Sequence, residues 1–105
     1  MDKREAVRVP VRVPALCRSR GEVIDGTVED LSRNGLFLRA PKMVAAGSSA
    51  EIELDLPGEP PLHLNAEVVR VEDNAERAGM GLRIVDGQDG RPLANFIMRQ
   101  HATLR

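Results

Sequence analysis

Two short segments carry side chains able to hold an anionic, hydrogen-bonding ligand. The first, Lys3-Arg4-Glu5-Ala6-Val7-Arg8, sets two guanidinium groups four residues apart. In an extended chain Arg4 and Arg8 share a face with backbones about 13 Å apart, and in a helical turn they stand about 6 Å apart. Either spacing can clamp a ligand. The planar guanidinium fork donates two parallel hydrogen bonds to a phosphate or to guanine O6 and N7, and it also stacks on a base. The second segment is Asp30-Leu31-Ser32-Arg33-Asn34-Gly35. Asp30 offers a carboxylate to the amino and imino donors of a guanine edge, and Ser32 adds a hydroxyl that donates or accepts. Gly35 allows close backbone approach or a positive φ. Taken singly, the first segment is more often a solvated basic tail and the second a polar turn.

No other cluster suggests chemistry. His63 and His101 lie far apart, with no metal-ligand or nucleophile spacing around them, so no catalytic residue, metal ligand or cofactor is assigned. Cys17 is the only cysteine, which excludes an internal disulfide, and it reads as a small buried apolar residue. Glu72, Asp73 and Glu76 read as a solvated turn. Gly79-Met80-Gly81 lacks the strand-to-helix setting of a dinucleotide fingerprint and reads as the start of a strand. The formal net charge of -1 conceals a basic first twenty residues and an acidic stretch from Glu51 to Glu76. No basic field covers the molecule, which disfavours binding along a nucleic-acid duplex. Trp and Tyr are absent, so a single-stranded nucleic acid would find few stacking platforms.

The elements that would position these residues follow from period and punctuation. At 105 residues, with 42% hydrophobic and 30% charged residues, the chain is sized for one core. No apolar run is long enough to span a bilayer, and no signal-peptide pattern precedes Val9, so no membrane insertion and a cytoplasmic location are expected. Val9, Val11, Val13, Ala15 and Cys17 alternate with Pro10, Arg12 and Pro14. This spacing predicts a strand whose prolines place it at an edge or make it pair irregularly. Further strands are expected over Glu22 to Glu29, Leu36 to Ala40, Glu51 to Leu56, Leu62 to Val71 and Met80 to Ile84. The phase of the fifth changes after Val68, which predicts a bulge there. Pro92, Leu93, Phe96, Ile97 and Leu104 suit an amphipathic helix over about 91–104. An all-β fold is therefore expected: a six-stranded antiparallel β-barrel over residues 9–105, closed by a C-terminal α-helix and preceded by a flexible Arg-rich arm, residues 1–8.

Arg4-x-x-x-Arg8 just before the first strand, with Asp30-x-Ser32-x-x-Gly35 between the second and third, resembles the paired signature of the PilZ domain family. Val9-Pro10, Gly35-Leu36-Phe37-Leu38, Glu67-Val68-Val69-Arg70-Val71 and Gly79-Met80-Gly81-Leu82 fall in the family's order as well. The resemblance implies a stand-alone, non-catalytic bacterial receptor for the second messenger cyclic di-GMP. Its ligand residues would be Lys3, Arg4, Arg8, Asp30, Ser32 and Gly35. Lys3, just before the arginine motif, leans toward an intercalated ligand pair over a single ligand. Only Phe37 and Phe96 are aromatic, and the segment Leu82-Arg83-Ile84 lacks the aromatic residue often found near this strand, so stacking must rely on arginine. The expected output is a downstream protein partner that reads the ordering of the arm, or a ligand-dependent homodimer. The competing reading is a PilZ-like protein-protein adaptor with weak or no ligand binding.

Overall fold

The computed structural model describes residues 7–85 and 88–103. Six strands form β1 (Val9–Ser19), β2 (Glu22–Leu31), β3 (Gly35–Arg39), β4 (Ser49–Leu54), β5 (Leu62–Asp73) and β6 (Ala78–Ile84), followed by helix α1 (Arg91–Thr103). All pairings are antiparallel, and the strands close into a barrel in the order β1-β2-β3-β6-β5-β4. The expected barrel with its C-terminal helix is thus the observed fold. Leu104 lies outside the described residues.

Alternation in the sequence becomes inside and outside in the barrel. Val13, Ala15 and Cys17 of β1, Ile52 and Leu54 of β4, and Leu62, Leu64, Ala66 and Val68 of β5 all face one interior cluster. Leu56 lies beyond β4 yet joins it. Burial raises the Cys17 thiol pKa, consistent with its reading as a packing residue. Leu93, Phe96 and Ile97 of α1 complete the cluster. Arg99 tethers the helix, donating to the Pro57 carbonyl at 2.9 Å and pairing with Glu59.

Closure resolves the position of the prolines. β1 is not an edge strand, because β2 and β4 flank it. However, β4 pairs only with Ala15 to Arg18, and the β1–β2 register shifts between Pro10 and Val13, so both prolines escape the β4 ladder. The hairpin joining β1 and β2 turns on Arg20 and Gly21, with φ of 52 and 77°, the left-handed pair that matches strand twist. The predicted bulge is present, as the β5–β6 register shifts between Val68 and Arg70. Among the described residues no helix is long and apolar enough to cross a membrane.

Candidate ligand-binding site

Antiparallel pairing aligns one row of residues across four strands. Asp30 of β2 pairs with Phe37 of β3, Phe37 with Gly81 of β6, and Gly81 with Arg70 of β5. Leu36 and Leu38 belong to the interior cluster and Phe37 does not, so the row lies on the outside of the barrel. A second outward row runs beside it, from Gly35 to Arg83 to Glu67. These rows border a shallow hollow of about 230 Å³, whose walls include Arg8, Asn34, Gly35, Arg70, Gly81 and Arg83.

The two sequence segments meet at this face. Arg8, one residue before β1, forms an ion pair with Asp30 across 22 positions of sequence. The pairing follows from register, since Val9 and Pro10 lie opposite Leu31 and Asp30. Lys3 and Arg4 fall outside the described residues. Asp30 is 25% exposed, and its second oxygen accepts a longer hydrogen bond, 3.4 Å, from Arg77.

Ser32 lies inside the turn, and its hydroxyl is engaged there. It is only 2% exposed. Its Oγ accepts the N–H groups of Asn34 and Gly35, each at 3.1 Å, and lies 3.3 Å from the Gly35 carbonyl to which it donates. The Ser32 N–H donates to the same carbonyl at 2.8 Å. The hydroxyl is therefore occupied inside the turn, where it satisfies two backbone donors that would otherwise lie unpaired. The turn is further fixed to β6 by the Ile84 N–H, which donates to the Asn34 carbonyl at 2.8 Å. Gly35 is needed for closeness, not for a positive φ: a Cβ there would come within 2.6 Å of the Leu82 carbonyl oxygen. Gly81 serves the same face, because the Arg70 guanidinium lies over it, 3.2 Å from where a Cβ would stand.

Three residues of the face went unassigned from sequence. Phe37 sits in an unbroken apolar run, Leu36-Phe37-Leu38, which reads as wholly interior, and only the strand period separates it from its neighbours. Arg70 follows the phase change at Val68, and that change was its available signal. Arg77 had none, because its place depends on the β5–β6 turn. There Asn74 Oδ1 accepts the N–H groups of Glu76 and Arg77 at 3.0 and 2.8 Å. The guanidinium of Arg77 lies 3.6 Å from the centroid of the Phe37 ring.

The face is electrostatically braided. Arg8 and Arg77 share Asp30; Arg77 Nε approaches Glu29 at 3.8 Å and Glu72 at 4.0 Å; Arg39 pairs with Glu29, and Arg70 with Glu72 at 3.0 Å. Four arginines thus alternate with three carboxylates, holding the planar forks in fixed orientations. Such a surface can exchange internal ion pairs for contacts to phosphate and to a base edge.

Comparison with known proteins agrees with this architecture. Residues 2–99 match the PilZ domain family. No curated protein matches the sequence. Among solved structures, the chain is similar to the Bacillus subtilis inhibitor of motility MotI/DgrA, with a TM-score of 0.83 at 19% identity. That match covers 100% of this chain and 54% of the other, so this chain spans about half its length. The PilZ domain of Escherichia coli YcgR, solved with c-di-GMP, matches with a TM-score of 0.79 at 14% identity, covering 99% of this chain and 95% of that one. The PilZ domain of CeSA from a cellulose-synthesizing bacterium gives 0.68 at 18% identity, with coverage of 95% and 100%. At these identities the solved structures speak to the fold, and the match over residues 2–99 speaks to kinship: this chain belongs to the PilZ domain family.

Proposed function

We propose that this chain is a non-catalytic receptor for cyclic di-GMP, which it binds on the outer face of β2, β3, β6 and β5. The observation that carries the reading is the Arg8–Asp30 ion pair, which brings two segments 22 residues apart to one place. Arg4 and Arg8 grip phosphate and guanine, Asp30 accepts from the guanine edge, and Ser32 and Gly35 act through the turn they build. Lys3 flanks the grip and favours an intercalated ligand pair. Arg70, poised over Gly81, adds a further cation to the ligand's path. No cofactor is required.

Binding exchanges the Arg8–Asp30 pair for contacts to the dinucleotide, and residues 1–8 become ordered against the barrel. A protein partner that prefers the ordered arm then reads the messenger's level, because differential affinity is what shifts a population. A ligand-dependent homodimer is a second form of the same output. The location proposed for all of this is the cytoplasm.

Calorimetry of the intact chain with cyclic di-GMP tests the reading. Saturable heat at physiological salt, lost in Arg8→Ala, is the expected result; no heat at low or physiological salt sinks it. The adaptor reading draws on a specific feature, that Asp30 is engaged on both oxygens by arginines of this chain. Under it, Arg8→Ala lowers stability and changes no ligand affinity.

A further inference from the structure

We infer that Arg77 is the base-stacking residue of this face, a guanidinium seated over Phe37 that receives a guanine of the ligand. The inference rests on the cyclic di-GMP reading above and adds to it a residue outside both sequence motifs.

Three observations carry it. First, the guanidinium lies 3.6 Å from the Phe37 centroid, within stacking distance. Phe37, on the outer surface of the barrel, is nevertheless only 1% exposed, whereas the Arg77 side chain is 34% exposed. The ring is therefore covered, and of the two side chains the arginine is the one that reaches solvent. Second, Arg77 is held on several sides. Its Nη2 donates to Asp30 at 3.4 Å, Glu29 and Glu72 lie 3.8 and 4.0 Å from Nε, and the Asn74 turn fixes its backbone. A long side chain already ordered loses little further rotamer freedom on binding. Third, Arg77 shares Asp30 with Arg8, so a base whose edge reaches Asp30 arrives beside the Arg77 plane.

The chemistry matches a purine. Trp and Tyr are absent, and the other aromatic ring, Phe96, belongs to the barrel interior under α1. A guanidinium stacks on any purine face, so Arg77 supplies affinity and Asp30 supplies the choice of guanine over adenine. Nε has no hydrogen-bond partner among the described residues, and a small inward shift of Glu29 or Glu72 would provide one if the Arg77–Asp30 contact were given up to the ligand.

The composition supplies a direct probe. With only two phenylalanines and two histidines, the aromatic proton spectrum is sparse enough to follow Phe37 individually. Titration with cyclic di-GMP is expected to shift the Phe37 ring signals and leave those of Phe96 in place. Arg77→Lys, which keeps the charge and removes the plane, is expected to weaken binding about tenfold, the size of one lost base stack. It should weaken residual binding of cyclic di-AMP in proportion, whereas Asp30→Asn should narrow the gap between the two ligands. If the wild-type chain binds cyclic di-GMP while Phe37 is unmoved and Arg77→Lys binds equally well, the stacking role is overturned and the receptor reading stands. If the wild-type chain does not bind, both fall together.

Discussion

Two hollows of the barrel differ in character. One lies on the β2-β3-β6-β5 face, holds about 230 Å³, and is bordered by Arg8, Arg70 and Arg83. The other, between β1, β2 and β4, is larger at about 490 Å³, and its rim carries Asp25, Glu53 and Asp55 beside Pro14, Leu16 and Pro61. Between these two, volume favours the second. Charge chooses the first, because an acidic rim opposes a phosphodiester before any contact forms. Construction differs too. The arginine face has a turn closed by Ser32 and glycines that bring backbone and guanidinium close. Concavity in a small barrel is cheap, whereas an ordered array of planar donors requires specific residues brought together from distant parts of the chain.

Substitutions on the two faces should have unequal effects. Arg8→Ala should weaken cyclic di-GMP binding about 100-fold, the scale of lost charge-assisted hydrogen bonds, while Asp25→Ala and Asp55→Ala leave it within about twofold. Equal losses on both faces, measured by calorimetry, would remove the basis for preferring one. Gly35→Ala probes how closely β3 and β6 must approach. The added Cβ must push β3 from β6, at a cost of about 1–3 kcal/mol in denaturant melts. A substitution tolerated without loss would mean the strands separate freely.

Much of this comparison was legible in the sequence, and the legible parts share a cause. Ile52 and Leu54 alternate with Glu51 and Glu53, so β4 declares its buried face. The phase change after Val68 announces the bulge, and Asp30 to Gly35 has the composition of a turn. Each signal lies within a few residues. What stayed hidden depends on contacts between distant strands. The β1–β4 pairing that closes the barrel leaves no local mark, so Pro10 and Pro14 left an edge and irregular pairing both open; closure removes the edge, and the register shift after Pro10 is the irregular pairing. Arg77 meets Asp30 across 47 positions, and nothing near either residue points to the other. Ser32 was legible by type, whereas its hydrogen bonds inside the turn were not, because a hydroxyl turned into its own turn has the same sequence as one turned to a ligand.

Ser32→Ala separates those two directions. Removing Oγ leaves the Asn34 and Gly35 N–H groups without their acceptor, so stability should fall by about 1–2 kcal/mol even with no ligand present. Thermal melts of the ligand-free variant decide this; an unchanged midpoint would return the hydroxyl to the ligand.

The smallest expected effect lies away from both faces, at the start of α1. Asp89 accepts hydrogen bonds from the Arg91 guanidinium and from its backbone N–H, which lower its pKa from 3.8 to about 2. A depressed carboxylate pKa favours the folded state above the ordinary value, and that contribution is lost as pH falls from 3.8 through about 2. Acid titration followed by circular dichroism should therefore show a slight helix loss in this window that Asp89→Asn abolishes. Cyclic di-GMP affinity should be indifferent to Asp89→Asn, which makes the variant a control for the two faces.

Mapping backbone amide shifts as cyclic di-GMP is added to the intact chain shows whether the arginine face is the ligand face. Saturable shifts at Gly35, Arg70 and Gly81, with Asp25 and Asp55 unmoved, are the expected result. Shifts gathered around Asp25 and Asp55, or none at saturating ligand, would contradict it.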